Sequence, residues 1–111
     1  LYDMPQRIQI KKKINSPYPH VPPTFVTVLD IKAYDPIKAF FTQRGFTPDR
    51  PGKISRISIY RLRDEIMKEI KKSTLNNNHL FTEYHACLEA IASTHKDDEL
   101  YCFYETAVVT Q

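Results

Sequence analysis

Glycine is nearly absent from this chain. Gly45 and Gly52 are the only two, so neither a Gly-rich phosphate cradle nor a dinucleotide-binding fingerprint can be assembled, and nucleotide-dependent enzymes of those classes are excluded. No serine sits in a Gly-x-Ser-x-Gly elbow, which removes the signature of the α/β-hydrolases. Tryptophan is missing altogether and cysteine occurs twice, at positions 87 and 102. Two cysteines are too few for a disulfide scaffold, and both lie among apolar residues, where small buried thiols belong. They are expected to be free, in a reducing intracellular compartment, cytoplasmic or nuclear. No apolar run approaches the ~18–20 residues of a membrane-spanning helix; Ala107-Val108-Val109 is typical of the longest. Beginning at Leu1 rather than Met, the chain is expected to be a trimmed or excised domain.

What is present is charge sorted along the chain. Residues 1–78 carry fifteen Lys/Arg against seven Asp/Glu, and residues 79–111 carry one Lys against six acids. The formal net charge of +3 therefore hides two blocks of opposite sign, which favours either packing of one block on the other or head-to-tail association. Apolar residues make up 41% of the 111 positions, with seven Tyr and six Phe, enough for one domain spanning 1–111 with its own core and too many for intrinsic disorder.

Local patterns divide that domain. Ile8, Ile10 and Ile14 alternate with polar residues as in a strand, and Lys12 on its apolar side suggests a sheet edge. Four prolines make residues 17–23 a stiff connector. Phe25-Val26-Thr27-Val28-Leu29 is apolar on both faces and reads as a central strand. Asp35 as N-cap, Pro36 in the first turn and Gly45 beyond Arg44 bracket a short helix, with Phe46 folding back on Phe41 in a Schellman ending. After a loop at 47–53, Ile59, Leu62, Ile66 and Ile70 form the stripe of a second helix, and Ile54, Ile57 and Ile59 also permit a brief strand entering it. Four-residue pairs Arg61/Glu65 and Asp64/Lys68 are expected on its surface. A turn at 76–78 leads to a third helix marked by Leu80, Tyr84, Cys87, Leu88 and Ile91, and residues from Leu100 to Val109 form a last, well-covered strand. The class that follows is α+β: a small, mostly antiparallel sheet of three or four strands with about three helices mainly on one face.

No residue spacing belongs to a single chemistry, so function is ranked by composition. First is a non-enzymatic protein-interaction module, a regulatory or accessory subunit of a larger assembly, binding a protein partner or a second copy. The Pro-x-x-P spacing of Pro19 and Pro22 suits an aromatic groove. Tyr101 and Tyr104 lie on a terminal strand able to pair with another chain. Second is a nucleic-acid-binding domain whose basic surface draws on Lys11, Lys12, Lys13, Lys32, Arg50, Lys53, Arg56, Arg61 and Arg63. Tyr18, His20, Tyr34 and Tyr60 are interleaved with these charges as candidate stacking groups.

The aromatic run Tyr101-Cys102-Phe103-Tyr104 bears comparison with a base-stacking strand. Asp97, Asp98, Glu99 and Glu105 nearby would repel phosphate, however, and its rings are expected in the core. Third is a His/Glu-dependent hydrolase or nuclease, since His79/Glu83 and His85/Glu89 are four residues apart on helical faces. The metalloprotease spacing His-Glu-x-x-His does not occur. No catalytic residue, metal site or cofactor is assigned, and no membrane association is expected.

Overall fold

A computed structural model of the chain describes residues 6–72 and 78–106. In chain order it contains β1 (Gln6–Ile14), β2 (Thr24–Lys32), α1 (Asp35–Gln43), β3 (Gly52–Ile54), α2 (Arg56–Lys72), α3 (Asn78–Ala92) and β4 (Leu100–Thr106). The strands form one sheet in the order β2-β1-β4-β3, each neighbouring pair antiparallel. The expected α+β class is the one found. Within the described residues no helix is long and apolar enough to cross a membrane.

One face of the sheet carries the core. Ile8 and Ile10 of β1, Leu29 and Ile31 of β2, Ile54 of β3, and Leu100 and Cys102 of β4 are all buried. They share one cluster with Ile37 and Phe41 of α1, Ile59, Leu62 and Ile66 of α2, and Tyr84, Cys87 and Ile91 of α3. The period-two and period-3.6 stripes thus meet, except that Ile14, the last apolar residue of the β1 pattern, is exposed. Each fully buried side chain of this kind contributes about 1.5–3 kcal/mol.

The helix ends follow local chemistry. At the end of α1, Phe46 N–H donates to the Phe41 carbonyl (3.0 Å) and Gly45 N–H to that of Thr42 (3.0 Å). Gly45 has φ +87°, a conformation cheap only without a Cβ, and the Phe41 and Phe46 rings meet at 6.3 Å; this is the Schellman ending the spacing implies. At the start, the capping position falls on Tyr34, and Asp35 is instead an acid in the first turn, where it complements the helix dipole. Ser55 caps α2, its Oγ accepting from Ser58 N–H (3.2 Å). The ion pairs found on α2 join Glu65/Lys68 and Glu69/Lys72 at a step of three and the neighbours Arg63/Asp64, in place of the four-residue pairs expected.

Strand placement overturns two expectations. β1 is interior, bonded to β2 on one side and β4 on the other. Lys12 on its helix-side face marks no edge: its ammonium reaches Asp98 (3.4 Å) in the turn before β4. β2, expected in the centre, is an edge strand, and Phe25 and Val26 are 43% and 47% exposed. Apolarity on both faces arises there because Phe25 packs against rings on the far side of the sheet.

This edge is guarded. Pro22 and Pro23 precede it, and Val28 is left out of register between Ile10/Leu29 and Lys11/Thr27, a bulge that interrupts further pairing. Glu83 of α3 occupies Lys32 N–H (2.6 Å) and also takes Arg7 (3.1 Å), which holds Asp30 at 2.7 Å.

The two charge blocks meet inside the molecule. Arg7–Glu83, Lys12–Asp98, Lys13–Glu99 and Lys53–Glu99 each join the basic part to the acidic part. Arg56 adds a charged clamp, donating to Thr94 Oγ1 (2.8 Å), the Thr94 carbonyl (2.9 Å) and the His95 carbonyl (2.7 Å). These carbonyls follow the C-terminus of α3, where a cation is favoured and bare acceptors are costly. Arg56→Ala is expected to lower stability by about 2 kcal/mol, read as a lower urea midpoint at unchanged slope.

Candidate functional site

With all three helices on one side, the opposite face of the sheet is open among the described residues. Alternation along β4 turns Leu100 and Cys102 inward, and Tyr101 and Phe103 onto the open face, half-buried. These two rings were expected in the core; among the described residues no helix lies over the face they occupy. Phe25 joins them from β2, edge-on to Tyr101 (centroids 5.5 Å, 87°) and to Phe103 (5.9 Å, 76°).

Cations surround this aromatic group. The register puts Lys11 of β1 and Lys53 of β3 on either side of Tyr101, and Lys13 opposite Phe25. Lys11 Nζ lies 5.2 Å from the centre of the Phe103 ring. Lys13 and Lys53 both approach Glu99, at 3.9 and 3.4 Å. Gln9, opposite Phe103, donates to Asp30 (3.2 Å).

Such a face offers flat apolar rings at its centre and ammonium groups at its sides. That is the pairing of functions needed to stack bases and contact phosphates. Two of the acids that count against it are occupied. Asp98 accepts from His95 N–H (2.7 Å) and pairs with Lys12 on the helix side. The backbone bond and the neighbouring ammonium hold its carboxyl below the usual range. Glu99 is shared by two lysines.

The nine basic residues named from the sequence do not form one surface. Lys11, Lys13 and Lys53 come together on the open face. Lys12 points to the other side, and Lys32 lies at the far end of β2, 5.3 Å from the Tyr34 ring. Arg50 is exposed in the loop before β3. Arg56 is committed to the end of α3, and Arg61 and Arg63 are exposed on α2 in the helix layer. Of the interleaved aromatics, Tyr18 and His20 are exposed in the connector. Tyr34 packs edge-on against Tyr84, and Tyr60 lies between Arg56 and Arg63. Phe25 and Phe103, which complete the aromatic group, were not singled out as site residues in the sequence.

The partner-binding candidates are similarly divided. Tyr101 is on the open face. Tyr104 is packed against the core, its hydroxyl donating to the Phe46 carbonyl (3.4 Å) and held protonated by burial. Pro19 and Pro22 are exposed, but Val21 N–H donates to the Tyr18 carbonyl (3.2 Å), so a turn bends the Pro-x-x-P segment away from the extended form a groove requires. β4 is not a free edge at Leu100–Cys102, where β1 and β3 flank it.

The His/Glu pairs converge on no centre. His85 and Glu89 form an exposed pair (3.5 Å) on α3, whereas Glu83 is taken up by Arg7, Lys32 N–H and Tyr34. The side chain of His79 lies outside the described residues. Among the described residues, no group of three His, Cys, Asp or Glu is placed to hold a metal. Cys87 and Cys102 are free and buried, and burial pushes both thiols up to about 12, which suppresses the reactive thiolate. A cleft of about 230 Å³ between α1 and α2 is lined by Phe40, Arg44, Arg61, Asp64, Glu65 and Lys68. Arg44 is stacked on Phe40 at 3.5 Å and donates to its carbonyl, and the cleft is lined by charges of both signs. Comparison with known proteins finds no matching family model, curated protein or solved structure.

Proposed function

We propose that this protein binds nucleic acid on the open face of its sheet. The observation that carries the reading is the grouping of Phe25, Tyr101 and Phe103, between Lys11, Lys13 and Lys53, on a face that no helix covers among the described residues. Aromatic rings left half-exposed on a sheet are costly to solubility, and three lysines at their margin are suited to a polyanion.

Fluorescence anisotropy with labelled RNA and DNA oligonucleotides at 50 and 200 mM salt tests this. About three phosphate contacts give a log–log salt slope of roughly −2 on single strands, so affinity is expected to fall about twentyfold between the two conditions. Absence of binding at low salt, or affinity indifferent to salt, refutes the reading.

A protein-interaction module is the second reading, favoured by the exposure of Tyr18 (65%) and Val21 (48%) at the tip of the β1–β2 hairpin. Self-association through the open face is disfavoured, because stacking two copies brings like-charged lysine clusters toward each other. Light scattering separates the two: a stable dimer that binds no oligonucleotide supports the interaction module.

A further inference from the structure

We infer that the open face selects unpaired bases and that Lys11 covers its principal ring: a base stacking on Phe103 displaces the Lys11 ammonium, which turns to the adjacent phosphate. This deepens the nucleic-acid reading and rests on it. In a duplex, base faces are stacked on one another, so rings such as Phe103 and Tyr101 meet only base edges and backbone. A sheet of four strands about 4.8 Å apart spans roughly 14 Å before side chains are added, too wide for a major groove of about 12 Å that admits a helix or a two-stranded ribbon. On duplex DNA the face is therefore limited to its lysines; on a single strand it uses rings and lysines together.

Lys11 differs from its neighbours. Lys13 and Lys53 share Glu99, whereas the contact of Lys11 is the Phe103 ring, 5.2 Å away, the surface a base needs. An exposed cation–π contact shifts an equilibrium only about two- to fivefold. Stacking of a base on an aromatic side chain is worth roughly five- to 150-fold. A base therefore wins the ring, and the freed ammonium remains on its flexible four-carbon tether beside the strand it has admitted. No charge is stranded by the exchange, since the phosphate replaces the ring as partner.

The test uses the whole chain, an eight-nucleotide oligothymidylate and a mixed-sequence DNA duplex at 100 mM salt, with the lysine methylene resonances followed by NMR. In the free protein the Lys11 ε-methylene is expected to be shifted upfield by the Phe103 ring current, and to lose that shift as the single strand saturates. The single strand is expected to bind at least tenfold tighter than the duplex. Phe103→Leu retains apolar bulk and is expected to abolish that preference with far-UV circular dichroism unchanged. Equal or tighter duplex binding, a Lys11 resonance that stays upfield at saturation, or an undiminished preference in folded Phe103→Leu overturns this inference and leaves nucleic-acid binding standing. Failure of both oligonucleotides to bind overturns both.

Discussion

A chain ending at Leu75 is expected to lose its cooperative unfolding transition. The cut removes α3 and β4 and, with them, Tyr84, Cys87, Ile91, Leu100 and Cys102 from the buried cluster. At about 1.5–3 kcal/mol each, these side chains together contribute on the order of 10 kcal/mol, comparable to the whole stability of a domain this size. The topology makes the loss larger than the area alone. β4 lies between β1 and β3, so its removal leaves a β1–β2 hairpin and a strand with no neighbour, and an isolated hairpin is marginal in water. Four ion pairs between the basic and acidic blocks go as well. Urea titration followed by circular dichroism reads the result. A sigmoidal transition in the shortened chain, with a slope near that of the full chain, would show that the acidic third is no part of the folding unit.

Reversing two charges on the open face, Lys11→Glu with Lys13→Glu, is expected to weaken oligonucleotide binding on the order of a hundredfold at 100 mM salt. Two phosphate contacts are lost and two repulsions are gained. The loss is expected to be the same for every sequence, because phosphate contacts carry no base information. Lys12→Glu provides the contrast. Its side chain faces Asp98 on the helix side, so the new carboxylate meets an acid there, and the expected effect is a lower urea midpoint with little change in binding. Equal loss of affinity from Lys12→Glu and from the double reversal would mean that the face of β1 does not matter, and the site as drawn would fail.

Most of the elements were legible because their signals are local. Gly45 after Arg44, with Phe41 and Phe46 five residues apart, specifies the end of α1 through a positive φ and two backbone bonds that involve only near neighbours. The stripes Ile59-Leu62-Ile66 and Tyr84-Cys87-Ile91 specify which side of each helix is buried. The candidate site was less legible. The alternation Leu100-Cys102 against Tyr101-Phe103 was visible, and so was the placement of helices mainly on one face. Together these imply that one set of rings has no helix over it. Apolar residues on both sides of β4 mask that consequence, because they give the strand the pattern of one covered on both faces. Lys11, Lys13 and Lys53 were among the basic candidates, but nothing in their spacing separated them from Arg56, whose donors are spent on the end of α3.

By itself the sequence left open the short strand β3, within what read as a loop, and determined the type of each long element, the buried sides of α2 and α3, the opposition of the charge blocks and the absence of a glycine-built nucleotide site. All of these depend on residues within a few positions of one another or on composition. Only the tertiary structure decided that β1 is interior and β2 an edge, that the charge blocks join within one molecule, and that Phe25, Tyr101 and Phe103 share an uncovered face. Strand order is set by which distant segments can bury their apolar sides on a common helix layer, and a strand's own residues carry its pleat but not the identity of its neighbours.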